Sequence, residues 1–494
     1  MASRRRGVAD GGAPGGWRLD GIDRPWSGQR SLRDQIRAAA DIAPGLRGED
    51  DVSPESDEDY AARLRLADVR RALLTLAEDA AVEHLARLYS LVTRSPVVSM
   101  LGSPEDDSLG HLDERLHAIG ELFAREAPTR EAVEFGVILL GSVEGFDDRA
   151  LLLELGIDRG LTPVVVFALA RQHRGEQALF ELAKRVDGWA KIRTVERLAE
   201  TTNAEIQAWL LRDGFRNSEQ NEHLAFTCAM AGNLHLALAK TRVDGELLRG
   251  AADIFVALAN GGPAPDLADY PFRAAAIRAW LRHVAHSELD LYQLSALDAL
   301  SECPEVPADL LRELDALRAT PRVAALIELG LRSLDPELYE RADAAAVRRR
   351  LDTFTYHEAR VRSGAPRLAH AVFRMMQEST TLTLERALDA VAGCVELKTL
   401  ATGPAACSPA SVFPQHLLVE HVVVDLARYP GAGERFVAAA LRSPLLRNRL
   451  TALSTVEAWP REQRSPRLIA ELRAAAAVES VDSLKAAMLA FLAE

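Results

Sequence analysis

The chain has 494 residues; 48% are hydrophobic but only 5% aromatic, and the apolar share is mostly Ala, Leu and Val. Ala and Leu lose little side-chain freedom in a helix, so this composition favours helix over strand. With 72 acidic against 59 basic residues the net charge is −13, which weighs against a nucleic-acid binder needing a basic surplus to neutralise phosphates.

Residues 1–58 read as a disordered acidic leader. They hold "GGAPGG" and then "GEDDVSPESDEDY", where seven acids fall between Glu49 and Asp59 with no base among them. Such a run repels itself and buries too little apolar surface to offset chain entropy. The basic start "MASRRRG" is followed by no apolar run that could act as a signal-peptide core. Inside the leader, "SLRDQIRAAADI" is expected as a short helix. Trp17 and Trp26 are unusual in a linker; composition favours their being exposed over docking onto the body.

Residues 59–400 read as helical repeats. The first helices are "YAARLRLADVRRALLTLAED" and "AAVEHLARLYSLVTR", followed by the loop "SPVVSMLGSPEDDSLG" and the helix "HLDERLHAIGELFAREA". The pattern is most regular over 130–260. Segments beginning at Ala132, Leu161, Trp189, His223 and Leu248 start 29, 28, 34 and 25 residues apart, with shorter helices such as "ALLLELGI", "ALFELAKRV" and "EIQAWLLRDGF" between them. Recurrence at this period is the mark of an α-solenoid, because one helix pair cannot cover its own apolar face and the next pair stacks on it. Residues 401–415, with three prolines, read as a loop. Residues 416–494 return to consecutive helices, with a stop at Trp459-Pro460.

The stretch "VDGWAKIRTVERL" is the most patterned piece. On a helical wheel Trp189, Ile192, Val195 and Ala199 share a face, with Glu196 among them and Lys191 at its margin. A charge inside an apolar stripe needs a partner, and Arg212 or Arg216 of the next repeat is expected to pair with Glu196. Gly188, Gly214 and Gly232 suit left-handed residues just past helix ends. Asp187 suits a cap for the helix at Trp189, and Thr202 with Glu205 suits a capping box.

Other chemistry is sparse. His283, His286 and Glu288 form one histidine-acid group, and His416, Glu420 and His421 another; only His416 and Glu420 share a helix face, and neither group has a strong metal spacing. No nucleophile elbow, P-loop or dinucleotide fingerprint occurs. Cys228, Cys303, Cys394 and Cys407 are dispersed and read as free thiols in a reducing compartment. Arg348, Arg349 and Arg350 read as helix-end charge; Arg4, Arg5 and Arg6 are the other triple run.

Over roughly residues 130–260 the segments "ALFELAKRVDGWAKIRTVERL", "EIQAWLLRDGFRN" and "NEHLAFTCAMAGNL" resemble HEAT or armadillo-type repeats, and more narrowly a group of uncharacterised bacterial HEAT-like proteins. Some of that group carry the label limonene hydroxylase, a chemistry that no residue here supports. HEAT folds also include di-iron hydroxylases that use several His-Glu dipeptides; this chain has only His357-Glu358. The resemblance implies an all-α superhelix of antiparallel helix pairs. The expected function is a non-catalytic scaffold or adaptor in a bacterial cytoplasm, with another protein as partner, no cofactor, no metal and no membrane association. Its rivals are a HEAT-fold enzyme with a site in the concave groove and a nucleic-acid-binding HEAT-like protein. The polar residues expected on the binding surface are Lys191, Arg193, Glu196, Arg197, Arg212, Asn217 and Asn221.

Overall fold

A computed structural model describes residues 18–20, 22–40, 58–94, 112–262, 264–404 and 413–493. Trp17, Cys407, Arg4 to Arg6, most of the acidic run, the expected loop at 95–110 and the centre of the proline-rich loop lie outside the described residues. Among those described, every regular element is helical and no strand occurs, in line with the all-α expectation. No helix among them is long and apolar enough to cross a membrane.

The chain divides into two compact units, residues 1–287 with 299–311 and residues 288–298 with 312–494. The first unit contains α1 (Leu32–Ala40), α2 (Glu58–Glu78), α3 (Val82–Thr93), α4 (Asp113–Glu126), α5 (Arg130–Ser142), α6 (Arg149–Leu155) and α7 (Thr162–Arg171). It continues with α8 (Gly175–Ala183), α9 (Gly188–Glu196), α10 (Ala204–Trp209), α11 (Glu222–Ala231), α12 (Leu234–Ala239), α13 (Gly245–Asn260) and α14 (Arg273–Val284). Helices α15 (Leu291–Ser301) and α16 (Ala308–Arg318) are divided between the units. The second unit goes on with α17 (Arg322–Leu331), α18 (Pro336–Arg348), α19 (Phe354–Ser363), α20 (Leu368–Glu378), α21 (Leu384–Ala392) and α22 (Leu397–Leu400). It ends with α23 (Phe413–Leu426), α24 (Glu434–Leu441), α25 (Leu446–Ala458), α26 (Pro466–Val478) and α27 (Asp482–Ala493).

Short polar residues set the helix starts. The Asp244 carboxylate accepts from the Leu247 amide at 2.8 Å and opens α13. Asp335 before Pro336 and Ser465 before Pro466 do the same for α18 and α26; proline fits the first helical position because its missing N–H has no partner there anyway. As the sequence suggests, α25 stops before Trp459-Pro460.

Within the first unit α4 packs on α5, α5 on α7, α7 on α8 and α9, α9 on α11, and α11 on α13. Within the second, α19 packs on α20, α20 on α23, α23 on α24 and α25, and α24 on α26. Each helix thus meets a near neighbour and often the next but one. Ten of the long-range hydrogen bonds keep the same rhythm, while others, such as Arg349–Asp298 and Arg428–Met376, span 51 and 52 residues. In the first unit His117–Asp148, Ser218–Asp187, Arg212–Asp244, Trp280–Leu248 and Arg278–Asp309 join residues 31 or 32 apart. In the second, Arg374–Asp343, Asn448–His416, Thr455–Val423, Trp459–Leu426 and Arg449–Glu479 join residues 30 to 33 apart. About one helix pair separates the partners in each of these ten.

Residues 22–40 are tied to the body. Trp26 is 3% exposed and its ring lies 4.7 Å from that of Tyr89 and 5.4 Å from that of Phe123. Arg33 of α1 grips Glu154 with two hydrogen bonds of 3.0 and 2.9 Å. Composition reads this tryptophan as exposed; burial of its large apolar ring among two other aromatics overrides that reading. The expected short helix is present as α1.

Candidate functional site

The stretch around α9 behaves as a joint, though with its charges exchanged. Lys191 is 7% exposed, while Arg193, Glu196 and Arg197 all lie on the exposed side. The buried set on α9 is Gly188, Ala190, Lys191, Ile192, Thr194 and Val195, followed by Leu198. Trp189 lies outside it, 40% exposed, with its ring 4.9 Å from His223. The helix is therefore rotated from the wheel that places Trp189 and Glu196 inward. The buried charge is Lys191: its ammonium donates to the Asp213 carbonyl at 3.1 Å, lies 3.7 Å from the Asp213 carboxylate, and sits 5.4 Å from the Trp209 ring. A buried cation held by a carbonyl, a carboxylate and a ring face needs no ligand.

The arginines expected to pair with Glu196 are engaged elsewhere. Arg212 meets Asp244 at 2.6 Å and Arg216 meets the buried Asp253 at 2.7 Å. Asn217 and Asn221 shape the loop before α11. The Asn217 side-chain oxygen accepts from the Glu219 and Gln220 amides, and that of Asn221 accepts from the Asn217 amide. Of the expected surface set, Arg193, Glu196 and Arg197 share an exposed face; Lys191 is inside, and Arg212, Asn217 and Asn221 hold structure.

The punctuation also differs. Gly188 is left-handed, with φ +59°, yet it opens α9 instead of following α8. Gly232 is right-handed, and Gly214 is absent from the left-handed glycines because it closes a π-helical turn at Leu210–Gly214. Asp187 does not cap α9: its carboxylate accepts from the Ser218 amide at 2.8 Å, 31 residues on. The cap of α10 is Asn203, accepting from the Glu205 amide at 2.9 Å, in place of the Thr202–Glu205 box.

The histidine-acid groups disperse. His283 faces the Leu238 carbonyl at 3.0 Å and His286 the Arg282 carbonyl at 2.7 Å. His416 meets the Ser443 hydroxyl at 3.0 Å, Glu420 pairs with Arg447 at 2.5 Å, and His421 lies beside the Phe373 ring. The His357-Glu358 dipeptide splits as well, since Glu358 turns to Arg362 and Arg386. Among the described residues no group of three or more His, Cys, Asp or Glu side chains is arranged to hold a metal. Arg349, expected as helix-end charge, instead clamps the fully buried Asp298 with bonds of 2.8 and 2.9 Å, opposite Arg318.

Among the described residues a dense polar cluster joins α18, α19 and α20, and sequence spacing does not single it out. His357 and Tyr339 are fully buried. The Tyr339 hydroxyl lies 2.6 Å from His357 Nδ1, while His357 Nε2 lies 2.9 Å from the Thr353 hydroxyl and 3.2 Å from the Asp343 carboxylate. Thr353 donates to Glu378 at 2.7 Å, so it accepts from the Nε2–H, and Nδ1 accepts from the tyrosine; this assignment follows from the partners. Asp343 also accepts from His370 at 2.8 Å and Arg374 at 3.0 Å. Burial alone would raise the Asp343 carboxyl, but the hydrogen bonds from both histidines and the charge of Arg374 hold it well below the usual carboxylate range.

This set contains a hydroxyl, an imidazole and a carboxylate but not the arrangement of a hydrolytic triad. There the nucleophile and the orienting carboxylate address opposite ring nitrogens. Here Thr353 and Asp343 crowd the same nitrogen, Tyr339 occupies the other, and no solvent reaches the ring. The cluster can fix three helices in register, and it presents no free nucleophile. Its sequence signal is polar residues at helical stride: Tyr339 with Asp343, Thr353 with His357, and His370 with Arg374 and Glu378.

Comparison of the chain with models of protein families and with curated proteins finds no match.

Proposed function

We propose that the chain is a non-catalytic protein-binding scaffold, an α-solenoid of HEAT-like helix pairs that engages another protein through a row of alternate helices. The observation that carries this is the outward face of α7, α9 and α11, which pack side by side. Helix α7 presents Phe167 and Arg171, α9 presents Trp189, Arg193, Glu196 and Arg197, and α11 presents His223, Phe226 and Met230, all at least partly exposed. Positions 189, 193, 196 and 197 fall on one side of a helix. Tryptophan and arginine dominate the energetics of protein interfaces, and large aromatic side chains standing in water are otherwise wasted apolar area. The bond spacing of about one helix pair supports the solenoid, since stacked repeats interact with their nearest neighbours. The reduced Cys228, Cys303 and Cys394 suit a cytoplasmic setting.

The test is affinity capture from the native cell with wild type and with a Trp189→Ser, Arg197→Glu double variant whose circular dichroism and melting match wild type. A partner retained by wild type and lost by the variant is the expected result. Equal retention by both, or stoichiometric iron or zinc in the purified protein, would overturn the scaffold reading.

A further inference from the structure

Glu358 of α19 is 8% exposed and holds two arginines at once. Arg362, one turn on, donates to its Oε1 from Nε at 3.1 Å and from Nη2 at 2.9 Å. Arg386 of α21 donates to the same oxygen from Nε at 3.4 Å and to Oε2 from Nη2. Burial alone would raise the Glu358 carboxyl, but the hydrogen bonds from Arg386 and Arg362 bring it below its ordinary value. One full negative charge therefore stands against two positive ones. The Arg386 guanidinium also lies 5.3 Å from the centroid of the Phe354 ring, a further restraint on its position.

Other carboxylates shared by two cations in this unit come with a second acid. Arg318, which meets Asp298, also meets Asp315, and Arg374, which meets Asp343, also meets Glu378. Arg362 and Arg386 have no ion-pair partner besides Glu358. Because both reach one oxygen, their donor nitrogens stand within about 6 Å of each other, where like charges repel. Both hold Glu358 by the same edge, Nε and Nη2, and Nη1 makes no protein hydrogen bond in either residue. The two side chains are 50% and 53% exposed. A lone surface arginine needs only water. Two held together over one acid carry an excess charge that water screens and a second anion would offset.

We propose that Arg362 and Arg386, mounted on Glu358, bind the phosphoryl group of a phosphate monoester. Such a group carries close to two charges at neutral pH, and its three terminal oxygens can accept from two guanidiniums at this separation. A carboxylate is the weaker candidate, because a single charge gains little from half-exposed partners. The phosphoryl group comes either from a phosphorylated side chain of a partner protein or from a small phosphate ester. The site belongs to the second unit and does not depend on the scaffold reading of α7, α9 and α11.

Titration of the full chain by ³¹P NMR tests this with two probes, phenyl phosphate and a five-residue alanine peptide carrying one central phosphoserine; benzoate, followed by proton NMR, is the comparison. Phenyl phosphate is expected to bind saturably at or below about 10 mM, and benzoate about fivefold more weakly or worse. The peptide ahead of phenyl phosphate marks a side chain as the source, and the reverse order a small ester. Arg362→Gln and Arg386→Gln should each weaken binding about fivefold or more. Each leaves Glu358 one arginine, so melting should stay near the wild-type value. Arg386→Lys is the second arm if a glutamine variant melts early: its ammonium still answers Glu358 but gives up the fork, and affinity should fall about threefold. Arg278→Gln, which removes an exposed arginine of the first unit paired with Asp309, should bind like wild type. The proposal fails if phenyl phosphate does not bind at about 10 mM, if benzoate matches it, if the folded Arg362 or Arg386 variants bind like wild type, or if Arg278→Gln loses as much as they do.

Discussion

At the scale of single residues, the molecule handles buried charge by local supply. Lys191, Asp298, Asp343 and Glu479 each meet partners from a neighbouring helix or turn. Glu134 of α5 is less well served: burial raises its carboxyl to about 7, against the opposing charge of Arg130 and with Glu131 and Asp158 adding to the rise. A carboxyl raised in the folded state opposes folding once it ionises. The penalty is absent below the ordinary glutamate value, grows as pH climbs towards 7, and is constant above it. Glu134→Gln should therefore stabilise the first unit at pH 8 by about 1 kcal/mol, a discounted figure because the side chain retains solvent contact, and leave stability at pH 4 unchanged. Thermal scans at the two pH values check this; an equal effect at both would refute it. The exchanged roles of Lys191 and Glu196 show where sequence reading stops at this scale. Trp189 anchors the wheel because a large aromatic is expected inward, yet it rests on His223 at the surface, and small residues such as Ala190 and Thr194 occupy the interior. Size and hydrophobicity alone do not reveal which arc a neighbouring helix will cover.

At the scale of elements, close approach of backbones determines which side chains fit. The first unit places Gly250 of α13 against the π-helical turn at Leu210–Gly214, where an added Cβ would lie 2.1 Å from the Leu211 carbonyl oxygen. Backbone on one side and a packed helix on the other leave no flexible group to yield. Gly250→Ala should cost about 3 kcal/mol by overpacking, whereas Gly245→Ala, with open space at the Cβ, should be neutral or slightly stabilising. Chemical denaturation of the two variants decides it, and comparable stability of both would refute the close approach. Helix existence was legible from apolar periodicity almost throughout, including the short helix at residues 32–40. The π turn was not, because an extra residue in the helical ladder leaves no compositional mark; it shows only through Gly214 and Gly250 once the helices are packed. The Tyr339–Asp343–His357 cluster was hidden for a related reason: its members lie up to 39 positions apart, from Tyr339 to Glu378, and converge only when α18, α19 and α20 assemble.

At the scale of the whole molecule, the side-chain bonds between residues about 31 apart make each helix pair dependent on its neighbours. Perturbation should then stay local. Asp343→Asn removes the anion that His370 and Arg374 share, at a cost of about 3–5 kcal/mol for a broken buried pair. Hydrogen exchange measured by mass spectrometry should quicken in α18 to α20 and remain unchanged in α4 to α9; uniform acceleration along the chain would refute nearest-neighbour behaviour. The depressed Asp343 carboxyl carries the same stabilisation on the pH axis, present above the ordinary aspartate range and lost as acid protonates it.

The tryptophan-to-carbonyl bonds have a practical consequence. Trp280 donates to Leu248 in the first unit and Trp459 to Leu426 in the second, and both indoles are shut off from water. Each is an intrinsic fluorophore whose emission shifts to the red when its own stack opens. Trp459 is the only one of the six tryptophans within residues 312–494, so the difference between the emission of wild type and that of Trp459→Phe would let an ordinary spectrometer follow the second unit by itself, without any attached dye.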